Sequence, residues 1–269
     1  MPKLEILMSV MHQTDMHLAE RCNADTDILI INQCNKDDYS EEIYNGHKIR
    51  MISTTERGLS KSRNKALKNA CGDICVLCDD DVIYNTGYKE EILKAFSERK
   101  DADIISFNVE HKNARHKRKI NKSFKKAPKF HTYCSVSLVF KHKNILKEEV
   151  LFNDLFGAGS GVITSGEEAV WQNDALKKGL KIYEHPFCIA TVDQANSTWF
   201  KGYTEQYFYN MGAYVATVMP SLKHIFKFYY IYRINAMTDL TVKEQLHWLN
   251  AGIKGIKDGK SYDEYRGIS

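Results

Sequence analysis

Short apolar runs alternate with amphipathic stretches in the first third of the chain, and this alternation restricts the fold more than any other feature. Four runs are rich in apolar residues and predict strands: LEILMSV from Leu4, DILIINQ from Asp27, KIRMIST from Lys48 and DICVLC from Asp73. Helix-like stretches separate the first run from the second and the third from the fourth, and a loop separates the second from the third. This order predicts an α/β fold with a mostly parallel sheet covered by helices. Ligands of such sheets bind beyond the carboxyl ends of the strands.

The rest of the chain predicts that one α/β domain is followed by a helical extension. An amphipathic helix is predicted over 88–100, and strand-like runs follow at 102–109 and 133–140. We expect the α/β domain to cover 1–195. The aromatic-rich remainder, 196–269, is expected to form a helical C-terminal extension.

Composition and cysteine usage limit the class of protein. With 43% hydrophobic and 27% charged residues, the 269-residue chain has the composition of a globular protein. The apolar start gives way to His12 and Gln13 after about seven apolar positions, so it predicts a first strand and not a signal peptide. No run reaches the roughly 18 apolar residues of a membrane-spanning helix, so we expect a cytoplasmic protein with at most peripheral membrane contact. The seven cysteines lack framework spacing, and Cys75 and Cys78 lack a second ligand pair, so neither disulfides nor zinc are expected.

Three adjacent aspartates, Asp79, Asp80 and Asp81, follow the apolar run that ends at Cys78. Carboxylates side by side repel one another unless solvent, a cation or basic groups neutralise them. Mg²⁺ and Mn²⁺ prefer carboxylate oxygens and keep coordination positions open for substrate phosphates. The cluster therefore predicts a divalent metal site, with a polar turn at the end of a strand as the alternative.

A basic helix start precedes this cluster. The residues RGLSKSRN, from Arg57 to Asn64, supply three cations, two hydroxyl groups and a glycine at the entrance to a helix. Helix N-termini and Arg or Lys side chains bind diphosphates, and Gly58 lets the backbone turn closely. The stretch predicts a phosphate site, although basic helix starts also occur as solvated surface.

The two motifs together resemble the nucleotide-binding half of family 2 glycosyltransferases. In that family an R/N-G-x-S-x-x-R-N helix precedes a strand ending in an aspartate-rich D-x-D motif, as RGLSKSRNKALKNACGDICVLCDDDV does here. The resemblance implies a glycosyltransferase A fold, a single Rossmann-like domain, with Mn²⁺ or Mg²⁺ on the diphosphate of a nucleotide sugar. It implies metal ligands among Asp79, Asp80 and Asp81, a ribose contact at Asp79, and donor contacts from Arg57, Ser60, Lys61, Arg63 and Asn64. Either Asp79 and Asp81 or Asp79 and Asp80 share the ribose and metal roles.

A second motif, FGAGSGVITSGEEAVWQNDALKKGLKI over 156–182, resembles the acceptor side of the same family. There a G-E-D tripeptide opens a helix, and its last acid is the catalytic base. The resemblance implies Glu168 as the base, with Glu167 as the alternative because Glu is longer than the usual Asp. Gly166 and Trp171 are then expected at the acceptor. An acid near a helix N-terminus also suits the helix dipole, and Trp171 at helical spacing also suits a core position.

The first two strands depart from the family pattern. In the family they end in a Pro-x-Tyr-like pair and in Asp-Asp, which contact the nucleotide base. Here they end in Met11, His12 and Gln13 and in Asn32 and Gln33. Amide side chains both donate and accept hydrogen bonds, so we expect His12, Gln13, Asn32 and Gln33 to contact the donor, while the identity of the base stays open.

Residues 111–129 form a basic segment with nine Lys and Arg and no acid, in a chain whose formal net charge is +4. The segment predicts contact with anionic lipid headgroups or with a phosphate-bearing, lipid-linked acceptor. A mobile, solvated loop is the alternative. Nucleic acid is not expected, because only Phe124 could stack on bases and no known binding fold is present.

The aromatic run KHIFKFYYIYRI, residues 223–234, has two interpretations. Aromatic residues flanked by Lys and Arg are typical of a segment in a membrane interface. The run is also apolar around most of its circumference, which suits a helix packed against the catalytic domain.

Together these features predict a metal-dependent glycosyltransferase of the hexosyltransferase type. The donor is expected to be a UDP-sugar and the acceptor a glycan or lipid-linked oligosaccharide of a surface polysaccharide such as a capsule. If the family's usual chemistry holds, the anomeric configuration inverts. Within the catalytic domain, the resemblance assigns 1–105 to the nucleotide-sugar half, 110–129 to the basic loop and 130–195 to the acceptor half.

Two other functions are considered. A sugar-phosphate nucleotidyltransferase would need a glycine-rich phosphate loop after the first strand, and SVMHQTD has no glycine. A catalytically silent nucleotide-binding or membrane-associated assembly protein would not need the two acidic motifs.

Overall fold

The computed structural model describes residues 1–113, 120–128, 131–193, 200 and 202–267. These residues divide into two compact units. The sheet unit comprises the described residues of Met1–Arg57, Lys61–Leu151 and Trp171–Asn196, and the helical unit those of Gly58–Ser60, Phe152–Val170 and Ser197–Ser269. Each unit has its own buried core. Residues 152–170, which the sequence grouped with the acceptor half, belong to the helical unit.

The sheet unit is built on one ten-stranded sheet. Its strands are β1 (Leu4–Met11), β2 (Asp27–Gln33), β3 (Asp38–Tyr44), β4 (His47–Thr54), β5 (Ile74–Cys78), β6 (Val82–Tyr84), β7 (Ile104–Lys112), β8 (Lys125–Lys126), β9 (Leu138–Lys141) and β10 (Ile182–Asp193). The α-helices of the described residues are α1 (Leu18–Arg21), α2 (Leu59–Asn69), α3 (Tyr88–Glu98), α4 (His142–Lys147), α5 (Glu167–Lys177), α6 (Glu205–Val218), α7 (Lys223–Ile234), α8 (Val242–Asp258) and α9 (Tyr262–Arg266). The strand order is β3-β4-β2-β1-β5-β9-β7-β10-β6, with β8 on β10.

The predicted α/β class is confirmed, and the sheet is mixed, not strictly parallel. Strands β4, β2, β1 and β5, which are the four apolar runs of the sequence, pair in parallel. Strand β9 enters antiparallel between β5 and β7, and β6 and β8 pair antiparallel with β10. Strands β7 and β10 pair in parallel, and helices α4 and α5 lie between β9 and β10 in the chain, so the second half of the sheet combines both kinds of pairing.

A hairpin replaces the loop predicted between the second and third apolar runs. Strands β3 and β4 pair antiparallel across the two-residue turn Asn45 and Gly46. Both turn residues have positive φ, 47° and 80°, the backbone for which Asn-Gly is preferred in two-residue hairpins. The Asn-Gly pair was the sequence signal for this edge strand.

The Glu5 carboxylate is a buried anchor of the sheet. It accepts the backbone N–H groups of Cys71 at 2.6 Å and Gly72 at 2.8 Å, and Arg50 Nη2 lies 2.7 Å from its Oε1. A buried charge is stable only when paired and hydrogen-bonded in this way. A Cβ at Gly72 would lie 2.7 Å from the Glu5 Cβ, so this approach requires glycine. The contact fixes the amino ends of β1 and β5, opposite the aspartate cluster.

In the helical unit, α6 and α8 cross at glycines. A Cβ at Gly212 would lie 2.1 Å from the Leu249 carbonyl oxygen, and one at Gly252 would lie 1.9 Å from that of Tyr209. The two backbones can therefore approach this closely only because the side chains are absent. Helix α8 begins at a capping box formed by Thr241 and Glu244.

The aromatic run at 223–234 forms helix α7. One face of this helix is packed and the other is exposed. Its inner face packs through Ile231 and Ile234 against Phe208 and Leu249. Other large side chains of the same helix are exposed. None of the helices within the described residues is long and apolar enough to cross a membrane.

Much of the basic segment, residues 114–119 and 129, lies outside the described residues. Within the described part, Lys125 and Lys126 form β8 on β10. The ring of Phe124 packs edge-on against His185, with 4.6 Å between centroids. Phe124 therefore packs within the sheet unit.

We expect His185 to make the folded state less stable at acid pH. The ring is buried against Phe107, and Nδ1 accepts the backbone N–H of Phe187 at 3.2 Å. Burial lowers the pKa of His185, and the Glu91 carboxylate only partly offsets this. The unfolded chain binds a proton near pH 6.5 and the folded one at lower pH, so folding stability falls as pH drops through this window.

Urea titrations at several pH values test this expectation. Between about pH 7 and about pH 5, the free energy of unfolding should decline less steeply in His185→Gln than in the wild type. His224→Gln, at an exposed histidine, is the control and should keep the wild-type slope. Equal slopes in all three proteins would contradict the assignment.

Candidate active site

The carboxyl ends of four parallel strands form one edge of the sheet unit. In the ladder, Met11 of β1 pairs with Gln33 of β2, and Gln33 pairs with Thr54 of β4. On the other side of β1, Met8 pairs with Cys78, so Asp79 leaves the sheet at the same edge. The structure thus brings together the predicted residues that follow β1, β2, β4 and β5.

The Asn32 side chain holds the backbone of Gln13. Its Oδ1 accepts the Gln13 N–H at 3.0 Å, and its Nδ2 donates to the Gln13 carbonyl at 2.9 Å and to Ser53 Oγ at 3.3 Å. Asn32 is only 1% exposed, whereas His12, with φ of 55°, is exposed. The buried amide therefore fixes the turn that presents His12 and Gln13 at the edge.

The Arg57 guanidinium joins the loops that follow β2 and β4. Its Nη1 donates to the carbonyls of Thr55 at 2.8 Å and Glu56 at 3.2 Å, and its Nη2 donates to Asn35 Oδ1 at 2.8 Å. The buried Gln33 side chain donates to the same Glu56 carbonyl at 3.0 Å. Arg57 and Gln33 therefore shape this edge, and Arg57 also adds positive charge to it.

Helix α2 places Arg63 beside the aspartate cluster. Arg63 Nη2 lies 3.3 Å from Asp79 Oδ1 and donates to Ser135 Oγ at 2.9 Å. The helix is tied to β1 by a hydrogen bond of 2.9 Å between the hydroxyl groups of Ser62 and Ser9. Arg63 thus orients Asp79. Ser135 was not predicted, because a serine before an apolar strand gives no distinctive signal.

The other predicted residues of this helix differ in surroundings. Lys61 is exposed and Asn64 is buried. Lys65, which was not predicted, donates to Thr54 Oγ1 at 2.8 Å and lies 2.8 Å from a Glu56 carboxylate oxygen. The basic helix start therefore has one cation exposed to solvent, Lys61, and two that contact residues at the edge of the sheet, Arg63 and Lys65.

Asp79, Asp80 and Asp81 form the turn between β5 and β6. Because β6 pairs with the end of β10, Asp193 comes close to Asp81. Loss of solvation, and then the charges of Asp79, Asp80 and Asp193, raise the pKa of the Asp81 carboxyl. Sequence reasoning missed Asp193, since its nearness to the cluster depends on the pairing of β6 with β10.

The chemistry of this cluster fits a divalent metal. Carboxylate oxygens are the ligands that Mg²⁺ and Mn²⁺ prefer. The raised pKa of Asp81 reflects loss of solvation first and then neighbouring negative charge, and a cation would neutralise that charge. In the part of the chain that the structure describes, no three His, Cys, Asp or Glu side chains surround a common point where an ion could bind. The aspartates thus match a divalent metal in the type of donor atom, but they are not gathered around one point as a set of three ligands.

A cavity of about 850 Å³ opens in the sheet unit, and one of its lining residues contacts Asp193. Polar and aromatic side chains line much of it, among them Asn108, Glu110, His111, His131, Tyr133 and Cys134. Asn113, also in the lining, donates to Asp193 Oδ1 at 2.9 Å. Sequence reasoning missed this cavity because its walls come from separate segments whose residues form no motif.

In the helical unit, Gly58 lies against Gly159. A Cβ at Gly58 would lie 3.2 Å from the Gly159 carbonyl oxygen, and both residues have positive φ. Leu59 N–H donates to the Ala158 carbonyl at 2.8 Å, and Ser60 Oγ donates to the Phe156 carbonyl at 2.6 Å. Ser60, which was predicted as a donor contact, is thus buried and fastens the start of α2 to the glycine loop.

The Gly-Glu-Glu tripeptide opens helix α5 in the helical unit. Gly166 has φ of 90°, and its carbonyl accepts the Val170 N–H at 3.0 Å. Glu167 is buried, and a Cβ at Gly157 would lie 3.2 Å from its Cγ. Glu168 is only half-buried. The two acids therefore differ: Glu167 packs on the glycine loop, while Glu168 keeps surface open to solvent.

Trp171 lies in the core, which corrects its expected place at the acceptor. Its ring is 0% exposed and packs against Phe140, with 5.6 Å between centroids. Its Nε1 donates to the Val150 carbonyl at 3.1 Å. An indole with no exposed surface offers no face to a sugar. Trp171 therefore has the core position that its helical spacing also suited.

Comparison with known proteins identifies the family. The profile of glycosyl transferase family 2 matches residues 5–153, more than half of the chain. The chain belongs to glycosyl transferase family 2. It is thus a glycosyltransferase, as its motifs predicted. No curated protein matches it in sequence.

Solved structures agree with the family 2 fold. S. aureus TarS residues 1–349 superpose with a TM-score of 0.63 at 12% identity, covering 99% of this chain and 83% of that one. The same TarS fragment in complex with UDP-GlcNAc gives a TM-score of 0.62 at 11% identity, with the same coverage. Against a longer TarS chain the TM-score is 0.56 at 13% identity, and this chain covers 44% of that one. Identities this low show a shared fold.

Proposed function

We propose that this family 2 enzyme transfers a sugar from a UDP-sugar to a glycan or lipid-linked acceptor. The observation that carries the proposal is the edge of the sheet unit, where Arg63 holds Asp79 at 3.3 Å and Asp81 carries a raised pKa among neighbouring acids. Structures of TarS with UDP and with UDP-GlcNAc support a uridine nucleotide as donor.

The donor would lie across the carboxyl ends of β1, β2, β4 and β5. His12 and Gln13, presented by the Asn32 amide, would contact the base. Asp79 would bind the ribose in the orientation that Arg63 gives it, and Lys61 would meet the diphosphate from the helix start. Arg57 and Gln33 would contribute to donor binding by positioning the loops that follow β2 and β4.

Asp79, Asp80 and Asp81 would hold Mg²⁺ or Mn²⁺, with Asp193 adding negative charge beside them. When bound, the metal would stabilise the charge of the departing diphosphate. The protein's own contribution is to gather the carboxylates on a turn that Arg63 and the β6–β10 pairing fix.

Glu168 would take the proton from the acceptor hydroxyl as it attacks the anomeric carbon, and UDP would leave from the opposite face with inversion. Glu167 is the alternative base. The cavity beside Asp193 offers imidazole, amide and aromatic groups of the kinds that bind sugar hydroxyls and rings. We assign it to the acceptor or to the transferred sugar.

A lipid-linked acceptor would place the enzyme at the cytoplasmic face of a membrane, in the synthesis of a surface polysaccharide such as a capsule. The basic segment 111–129 supports this proposal through its charge, because anionic headgroups and phosphate-bearing acceptors attract Lys and Arg.

Calorimetric titration with UDP, CDP and GDP, with and without Mn²⁺, tests the donor site. We expect UDP to bind best in the presence of metal, and Asp81→Asn to weaken that binding by about tenfold or more, because one metal oxygen ligand loses its charge.

The control is Asp73→Asn, at the other end of the polypeptide segment that forms β5, where the amide can still accept the Lys3 N–H. This variant should bind UDP like the wild type. If no nucleoside diphosphate binds under any metal condition, the proposed function fails. If Asp73→Asn weakens binding as much as Asp81→Asn, the effect is one of folding.

A further inference from the structure

Helix α7 has two faces of different character. Its inner face is buried in the helical unit, where Ile231 and Ile234 pack against Phe208 and Leu249. Lys227 is buried on this side as well, and its Nζ donates to Asn250 Oδ1 at 2.5 Å. These contacts hold the helix in a fixed rotation about its axis.

The outer face is a stripe of large exposed side chains. Ile225 is 66% exposed, Phe228 62% and Tyr232 86%, and Leu222 and Tyr229 are exposed too. Positions three and four apart share one side of a helix, so these five form a single line along α7. Large apolar side chains exposed in a contiguous row indicate an interaction surface.

The segment that carries the stripe has charged side chains of one sign. Residues 219–238 contain Lys, His and Arg but no Asp or Glu. Lys223 and His224 lie at the first turn of the helix and Arg233 at its last. Arg233 Nη1 donates to the Tyr229 hydroxyl at 3.0 Å, so this cation lies along the stripe.

We propose that the outer face of α7 docks on an anionic lipid bilayer, with the helix lying in the plane of the interface. Apolar and aromatic side chains would enter the boundary between headgroups and acyl chains, and the cations at both ends would meet anionic headgroups. A continuous anionic surface matches a stripe that has cations at both ends and no acid between them.

Co-sedimentation of the full chain with lipid vesicles tests the proposal. The probes are vesicles of phosphatidylcholine alone and of phosphatidylcholine with about one third phosphatidylglycerol. We expect the wild type to bind the anionic vesicles and to bind less as salt rises. The double variant Ile225→Ser/Phe228→Ser should bind them at least about tenfold more weakly. Serine side chains bury much less apolar surface in the membrane than isoleucine and phenylalanine do.

Ile43→Ser is the matched control, since Ile43 is 67% exposed on the edge strand β3 of the sheet unit. It should bind vesicles like the wild type. A second variant, Lys223→Gln/Arg233→Gln, should lose the preference for anionic over neutral vesicles. Far-UV circular dichroism of each variant checks that the chain is folded, which keeps this test separate from that of the transfer function.

Three results would overturn the proposal. The wild type could fail to bind anionic vesicles, or the Ile225→Ser/Phe228→Ser variant could bind them as well as the wild type. Sedimentation without lipid could also reveal a dimer that this variant dissolves, and the stripe would then be the contact between two copies of the chain.

Discussion

Replacing Glu168 with glutamine is expected to lower the turnover for sugar transfer by a factor of about 10² to 10⁴, the range for loss of a general base. Glutamine keeps the size of the side chain but cannot take the proton of the acceptor hydroxyl. The affinity for UDP should stay close to that of the wild type, because the proposed donor residues lie in the sheet unit. Steady-state transfer assays and UDP titration of the same preparations measure both quantities.

Glu167→Gln is the paired variant that decides between the two acids. Because Glu167 is buried on Gly157, its substitution should lower the midpoint of thermal unfolding more than Glu168→Gln does and should reduce turnover less. If Glu167→Gln instead removes turnover while Glu168→Gln leaves it intact, the base is Glu167. If neither substitution changes turnover, the tripeptide does not supply the base.

Gly252→Ala is expected to destabilise the helical unit by roughly 3 kcal/mol or more. A methyl group at this position would lie 1.9 Å from the Tyr209 carbonyl oxygen, so α6 and α8 would have to move apart. Alanine is the better helix former by about 1 kcal/mol, so the measured loss understates the steric cost. Urea unfolding followed by circular dichroism gives the change in free energy.

Lys254→Ala, at an exposed position of the same helix, is the control and should stay within about 0.5 kcal/mol of the wild type. An unchanged unfolding midpoint for Gly252→Ala would mean that the helices do not cross at this glycine. Gly212→Ala probes the other side of the same crossing and should behave like Gly252→Ala.

The parallel part of the fold was predictable because each of its strands is an apolar run bounded by polar residues. Strands β1, β2, β4 and β5 match the four runs that the sequence marks. The run 133–140, which predicts a strand, forms a 3-10 helix over Ser135–Ser137 and a strand only over Leu138–Lys141. Its apolar residues also do not predict the direction or the neighbours of strand β9. The hairpin at Asn45 and Gly46 was missed although its turn signal was present.

Motif spacing names candidate residues but does not say which of them act on a ligand and which stabilise the fold. The sequence grouped Asn32 with the residues that touch the donor, yet its amide binds the backbone of Gln13. It could not anticipate that Ser135 and Asp193 flank the aspartate cluster, because those neighbours depend on long-range strand pairing. Side-chain direction and burial, which decide whether a polar residue serves a ligand or the fold, are not encoded in motif spacing.

The short strand β9 has a consequence for how the sheet opens. It is the antiparallel seam between the parallel group β4-β2-β1-β5 and the strands β7 and β10 in the described sheet. Native-state hydrogen exchange reports opening segment by segment. If the amides of Leu138–Lys141 exchange only when those of β1 do, the sheet unfolds as one cooperative body. If they exchange earlier, the parallel group and the strands beyond β9 unfold separately.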